Sequence, residues 1–228
     1  MKLYESKKLH YNKYLYRLEI PNRFSHIFRT EFQRPGTLSY AQKNLDELSL
    51  QYEPGTEYMT LTSLYNSWRE TVPVAHYFDA IVIYRTLLKA TDYIVRVGVS
   101  SLNVYSNDRK FLVKFGNNLK QSFVSLFEPD PNNIHQLLSN ENIILSNKSP
   151  AYEYKITLGK KRGNPALAKW IQNNPKLGKM GPVAMQECLN EGYVKGYYFY
   201  IKHKKALNLI MMIIGDNIQR VDRIVQST

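Results

Sequence analysis

The stretch from Lys195 to Val225, KGYYFYIKHKKALNLIMMIIGDNIQRVDRIV, restricts the fold more than any other part of the chain. It opens with Tyr197 and Phe199 alternating with Tyr198 and Tyr200, so an extended segment here carries aromatic side chains on both faces. Aromatic residues at period two favour a strand. The apolar segment Ala206 to Ile214 is too short to cross a bilayer, which leaves a helix buried in a protein core. Gly215 is expected to take the left-handed conformation that often ends a helix. Ile218, Val221, Ile224 and Val225 suit a returning strand, although their spacing fits a helix equally. The expected unit is strand, helix, strand.

A similar unit occurs upstream. Val104-Tyr105, followed by Asp108-Arg109-Lys110-Phe111-Leu112, parallels Phe199-Tyr200, followed by His203-Lys204-Lys205-Ala206-Leu207. Phe115-Gly116-Asn117 parallels Ile214-Gly215-Asp216, with the second helix four residues longer, about one turn. Further alternating strands are expected at Leu15–Ile20, from Tyr93 to Ser106 in two pieces, at Ser122–Phe127 and at Tyr152–Leu158. Helices are expected at Ser39–Leu50, Tyr58–Thr71, Ala75–Lys89, Pro165–Gln172 and Val183–Asn190. The aromatics Tyr65 and Trp68 then count as packing residues, and Arg34-Pro35-Gly36 as a loop.

Each half thus reads in the ferredoxin-like order. The expected fold is α+β, built from two similar ferredoxin-like (β-α-β containing) halves. The first half spans 1–130, with a helical insertion at about 39–90. Residues 131–150, rich in Asn, Pro and Ser, form the expected linker. Residues 151–228 form a basic C-terminal half.

The charge is unevenly placed. Of the formal net +12, residues 1–30 hold seven Lys/Arg against two acids, and residues 151–228 hold thirteen against five. The middle of the chain is close to neutral, so positive charge gathers at the two ends. Such a distribution suits a phosphate-bearing partner. The richness in Lys, Asn and Tyr also fits an AT-rich genome, as of a phage or mobile element. A single cysteine, Cys188, excludes an internal disulfide framework and a cysteine zinc cluster, and is expected to be a buried thiol. No apolar run is long enough to span a membrane, and the N-terminus lacks the apolar centre of a signal peptide. A cytoplasmic setting is expected.

KGYYFYIK is the strongest binding signal. Single strands are held by aromatics that stack on bases beside cations that meet phosphates. Lys195, Gly196, Tyr197 and Phe199 match part of the RNA-recognition-motif submotif, whereas Tyr198, Tyr200 and Lys202 depart from it. Tyr197 and Phe199 are therefore the expected stacking pair, with Lys202, Lys204 and Lys205 beside them. The glycine-flexed loop Lys160-Lys161-Arg162, with Lys169, Lys176 and Lys179, is the expected phosphate-contact region.

Signatures of the common enzyme classes are mostly missing. The histidines include no His-x-His pair, and no phosphate-cradling glycine loop or nucleophile elbow is present. Pro129-Asp130, followed by Glu153-x-Lys155 on an expected strand, has the spelling of the PD-(D/E)xK nucleases. In those enzymes two carboxylates hold Mg²⁺ and the lysine assists the attacking water. Two ferredoxin-like halves on a basic chain are also similar to the repeat-processing endoribonucleases of CRISPR systems. The glycine-rich C-terminal loop of those proteins has no clear counterpart here, and neither His26 nor His203 is singled out as a base.

The expectation is a non-catalytic binder of RNA or single-stranded DNA, without cofactor or metal and without a membrane. The alternative is a viral structural or assembly protein that acts through a protein partner or self-assembly. A nuclease, with Asp130, Glu153 and Lys155 as its residues, stands third.

Overall fold

The computed structural model describes residues 1–29, 38–62, 69–120, 123–139 and 142–227. The chain is a mixed α/β protein that divides into two compact units, Met1–Ser6 with Lys13–Asp130, and Lys7–Asn12 with Pro131–Thr228.

The first unit contains β1 (Lys2–Glu5), β2 (Tyr16–Pro21), α1 (Leu38–Ser49), β3 (Tyr58–Thr62), β4 (Arg69–Pro73), α2 (Val74–Leu88), β5 (Ile94–Val97), β6 (Ser101–Ser106), α3 (Arg109–Asn117) and β7 (Ser125–Glu128). Its five-stranded sheet runs β1-β7-β2-β6-β5. The β1–β7 pairing is parallel and the others are antiparallel. Leu18, Ile20, Leu102, Val104 and Leu126 are buried on one face of this sheet, with Leu112 and Phe115 of α3 in the same core.

The second unit contains α4 (Ile134–Ser139), β8 (Ile143–Ser146), β9 (Tyr154–Leu158), α5 (Pro165–Asn173), β10 (Gly178–Met180), α6 (Pro182–Leu189), β11 (Tyr198–Ile201), α7 (Lys204–Ile214) and β12 (Ile218–Gln226). Its sheet runs β10-β11-β9-β12-β8. Again the pairing at one edge, β8–β12, is parallel and the rest are antiparallel. The core is made by Ile156, Leu158, Phe199 and Ile201 of the sheet and by Leu167, Ile171, Leu207, Ile210 and Ile214 of the helices.

Reversed end for end, the second order matches the first: β8, β12, β9, β11 and β10 correspond to β1, β7, β2, β6 and β5. The sequence parallel maps onto this correspondence. Val104 and Phe199 are both fully buried on matching strands. Asp108 and His203 both cap the following helix, accepting from the Phe111 amide at 3.0 Å and the Ala206 amide at 3.2 Å. Leu112 and Leu207 both enter their cores.

Several expectations are corrected. The helix expected from Tyr58 to Thr71 is replaced, in the described residues, by the β3–β4 hairpin, in which Met59 opposes Val72. Thr60, Thr71 and Val72 are β-branched and favour the extended pairing, and Val72 is buried. Tyr65, Trp68, Ser122 and Arg34-Pro35-Gly36 lie outside the described residues. Residues 131–150, expected as a linker, carry α4 and the edge strand β8. The N-terminal residues contain the strand β1, and the Lys7 carbonyl that follows accepts from the Leu145 amide of β8 at 2.7 Å. Gly215 is not left-handed: its φ is −49° and it opens a short 3₁₀ turn, Gly215–Asn217. The segment after it is the strand β12, because β8 and β9 pair with its two sides.

Candidate nucleic-acid interface

The face of the second sheet opposite its core is unlike an ordinary polar sheet surface. On β11, Phe199 and Ile201 are fully buried, while Tyr198 is 46% exposed and Tyr200 is half-buried. Register explains the choice of face. Phe199 stands opposite Ile156 of β9, so the two large apolar residues share the core side. The expected stacking pair is therefore not presented. Phe199 is a core residue, and Tyr197, before the strand, is half-buried against the same core. Tyr198 and Tyr200 occupy the open face instead.

Cations flank these tyrosines in register. Tyr200 lies between Lys179 on β10 and Lys155 on β9. Asp222 of β12 is next in the row, opposite Lys155. In the adjacent row, Tyr198 is opposite Thr157, and Thr157 opposite Arg220. The Lys155 ammonium sits 4.0 Å from the centre of the Tyr198 ring, a cation–π contact. Tyr198 and Tyr200 meet edge to face with centroids 5.6 Å apart, and Tyr152 extends the series at 6.2 Å from Tyr200. The Tyr200 hydroxyl is pushed above its ordinary pKa by burial, with Tyr198 adding to the shift. It therefore stays protonated, with its hydrogen bond shared with Tyr198.

Asp222 is the one acid in these rows, and it is buried. It accepts from Arg220 Nε at 2.6 Å, and the Arg220 Nη2 group also pairs with it. Lys8, from the N-terminal segment belonging to this unit, reaches the same neighbourhood. Its pKa is lowered by partial desolvation and by the nearby Arg220 and Lys155 charges, with Asp222 opposing. Lys8, Lys155, Lys179 and Arg220 thus face a single carboxylate. This arrangement can hold flat rings against tyrosine and phosphates against cations, and a positively charged partner would be repelled.

The other expected contact residues divide between the two ends of the sheet. Lys160, Lys161 and Arg162 follow β9 in a loop fastened by the buried Asn217. The Asn217 Oδ1 accepts the Lys161 backbone amide at 3.1 Å, its Nδ2 donates to the Arg162 carbonyl at 3.2 Å, and its own carbonyl accepts the Gly159 amide at 2.8 Å. The Lys161 ammonium pairs with Asp216. Gly163 follows so close to α6 that a Cβ would stand 2.5 Å from the Glu187 carbonyl oxygen. Lys195 belongs to this end, since the neighbouring Gly196 amide donates to the Leu158 carbonyl at 3.0 Å.

Lys176 and Lys202 belong to the other end, where the Lys202 amide donates to the Leu177 carbonyl at 2.9 Å. Lys204 and Lys205 form the first turn of α7. Cations there oppose the positive end of the helix dipole, so their placement adds positive potential at an energetic cost. Lys169 is exposed on α5, whose Leu167, Ala168 and Ile171 pack on the inner face. It therefore lies away from the tyrosines.

Asp130 follows β7 in the first unit, whereas Glu153 and Lys155 belong to the β9 region of the second sheet. Lys155 is engaged with the Tyr198 ring. Among the described residues no group of three His, Cys, Asp or Glu side chains is placed to hold a metal ion. No helix among them is long and apolar enough to cross a membrane.

Sequence reasoning missed Tyr152, Tyr198, Tyr200, Arg220 and Lys8 as parts of one face. Lys155 at the centre of the alternating YEYKITL segment was the available signal, because its parity names the solvent face of β9. No protein-family model, curated protein or solved structure matches the chain.

Proposed function

We propose that the protein binds single-stranded nucleic acid, RNA or DNA, without cleaving it, on the outer face of the second sheet. The observation that carries this reading is the row Lys179–Tyr200–Lys155 with Tyr198 beside it. Aromatic rings flanked by cations are what a single strand requires, one for its bases and the other for its phosphates. The basic positions at the two ends of the sheet, Lys160–Arg162 with Lys195 and Lys176 with Lys202, extend a phosphate path beyond the tyrosines. We also read each unit as ferredoxin-like with one added edge strand. The identical strand orders, each with a single parallel edge pair, support this. A cytoplasmic protein of a phage or mobile element fits the composition.

The test is fluorescence anisotropy with labelled single-stranded RNA, single-stranded DNA and duplex DNA, at low and moderate salt with Mg²⁺. Tight, salt-sensitive binding to a single strand, weakened by Tyr198→Ala and Tyr200→Ala, is the expected outcome. Failure to bind any of the three overturns the reading and favours a protein partner or self-assembly. Shortening of the oligonucleotide with Mg²⁺ would replace the non-catalytic reading with a nuclease.

A further inference from the structure

The first unit contains a cavity separate from the tyrosine face. It opens between α2 and α3, has a volume of about 370 Å³, and is lined by Val82, Arg85, Lys89, Phe111, Lys114 and Phe115 among others. The lining residues recur at intervals of three and four on both helices, so each helix turns one face toward the space. The floor is the half-buried Phe111 ring; the Phe115 ring, 5.7 Å from it and tilted by 45°, is buried in the core. The rim is cationic. Among the described residues, no carboxylate is ion-paired with Arg85, Lys89 or Lys114. Arg85 and Lys89 stand at the C-terminal end of α2, where the helix dipole alone favours them. Lys114 likewise stands in the last turn of α3, so each dipole favours its own cations, and the three converge on one opening.

A second cavity of about 240 Å³ shares Lys89, Ala90 and Phe111 with the first and adds Asp92, Ser106 and Asp108. The two cavities adjoin at these residues, and the cleft they make has cations and Phe111 on one side and hydrogen-bond acceptors on the other. Asp108 commits one oxygen to the Phe111 amide at 3.0 Å, and Asp92 accepts from Lys13 at 3.1 Å. Carboxylate oxygens remain to accept from hydroxyl groups.

We infer that this cleft is a binding site for a nucleoside 5′-phosphate. The phosphate is met by Arg85, Lys89 and Lys114, the base lies against Phe111, and the sugar hydroxyls donate toward Asp92 and Asp108. The volume is that of a small-molecule pocket. An apolar ring without charge would leave three cations unanswered, and inorganic phosphate would leave the aromatic floor uncovered. The same group could arrive as a free nucleotide or as the 5′-phosphorylated end of a nucleic acid.

Titration calorimetry on the full chain with AMP, adenosine, inorganic phosphate, and a trinucleotide with either a 5′-phosphate or a 5′-hydroxyl tests this. AMP is expected to bind at least tenfold more tightly than adenosine or phosphate. Tight binding of the 5′-phosphorylated trinucleotide, but not of its 5′-hydroxyl form, identifies a chain end as the natural ligand; tight binding of AMP alone identifies a free nucleotide. Arg85→Glu with Lys114→Glu should weaken AMP at least tenfold. Val82→Trp, which fills the cavity without changing charge, should do the same, with circular dichroism melting used to verify folding of both variants. No heat with AMP or the phosphorylated trinucleotide, or unchanged binding in two folded variants, overturns the assignment.

Discussion

Lys155 leans its ammonium over the Tyr198 ring, 4.0 Å from the ring centre, on the solvent side of the second sheet. A lysine held against a tyrosine on an open face keeps charge and ring together, so that a ligand meets both at once. The contact also holds the side chain close to the sheet, which lowers the ordering cost on binding.

The two faces of β11 should separate cleanly under mutation. Tyr198→Ala and Tyr200→Ala are each expected to weaken single-strand binding by about 1–3 kcal/mol, the usual value of a base–aromatic stack. Their melting temperatures should change little. Phe199→Ala should instead cost about 3–5 kcal/mol of stability, because it empties a fully buried position. Anisotropy titrations paired with urea unfolding check both halves. A binding loss in a stable Phe199→Ala variant would reverse the assignment of faces.

The basic loop after β9 should act through salt. Replacing Lys160, Lys161 and Arg162 together with alanine removes up to three phosphate contacts, and should reduce the slope of log K against log salt by about 2 for a single strand. Asn217→Ala should produce a milder version of the same effect by loosening the loop. It should also cost about 1–3 kcal/mol of stability through the hydrogen bonds it removes. Titrations at several salt concentrations measure the first, and chemical denaturation the second.

Acid should weaken the first unit through its histidines. His26 and His76 both have pKa values held below their ordinary range, chiefly by burial, with Arg29 adding to the shift at His26 and Arg23 at His76. The folded state resists protonation there while the unfolded chain accepts it. Stability is therefore complete above about pH 6.5, the unfolded value, and declines as pH falls below it toward the lower folded values. Urea midpoints between pH 8 and pH 5 should show this decline. His26→Gln should flatten part of it.

Cys188 should be silent to thiol reagents in the folded protein. It is fully buried, and burial raises its pKa, so thiolate is scarce and inaccessible. Labelling by a colorimetric disulfide reagent should be slow in native buffer and complete in denaturant. Fast native labelling would mean that α6 opens readily.

Much of this architecture could be read from residue order, and the failures have physical causes. Alternation in YEYKITL identified β9, and Pro165 identified the start of α5, because both signals are local. The repeat linking Val104-Tyr105 to Phe199-Tyr200 was legible because Val104 and Phe199 fill the same buried place on matching strands. The orientation of KGYYFYIK was not legible. Both faces carry aromatics, so period two alone cannot say which is the core; the partner Ile156 decides it. β1 and β10 were missed because strands of four and three residues are defined by their neighbours β7 and β11 more than by composition. The tyrosine–cation face required three strands in register, and the cleft between α2 and α3 required two helices brought together from separate parts of the chain.

In each unit, the strand latest in sequence lies between two earlier ones: β7 between β1 and β2, and β12 between β8 and β9. Neither sheet can be completed in the order in which its strands are made. As the chain emerges from the ribosome, the first sheet remains in two pieces until residue 128 is free, and the second until residue 226. Such late, non-local pairings are slow, and until they form, the sides of β8 and β9 that later hold β12 offer unpaired backbone to any extended segment nearby. Both units should accordingly depend on chaperones until their last strand is free, and heating during expression should promote aggregation through these unpaired edges.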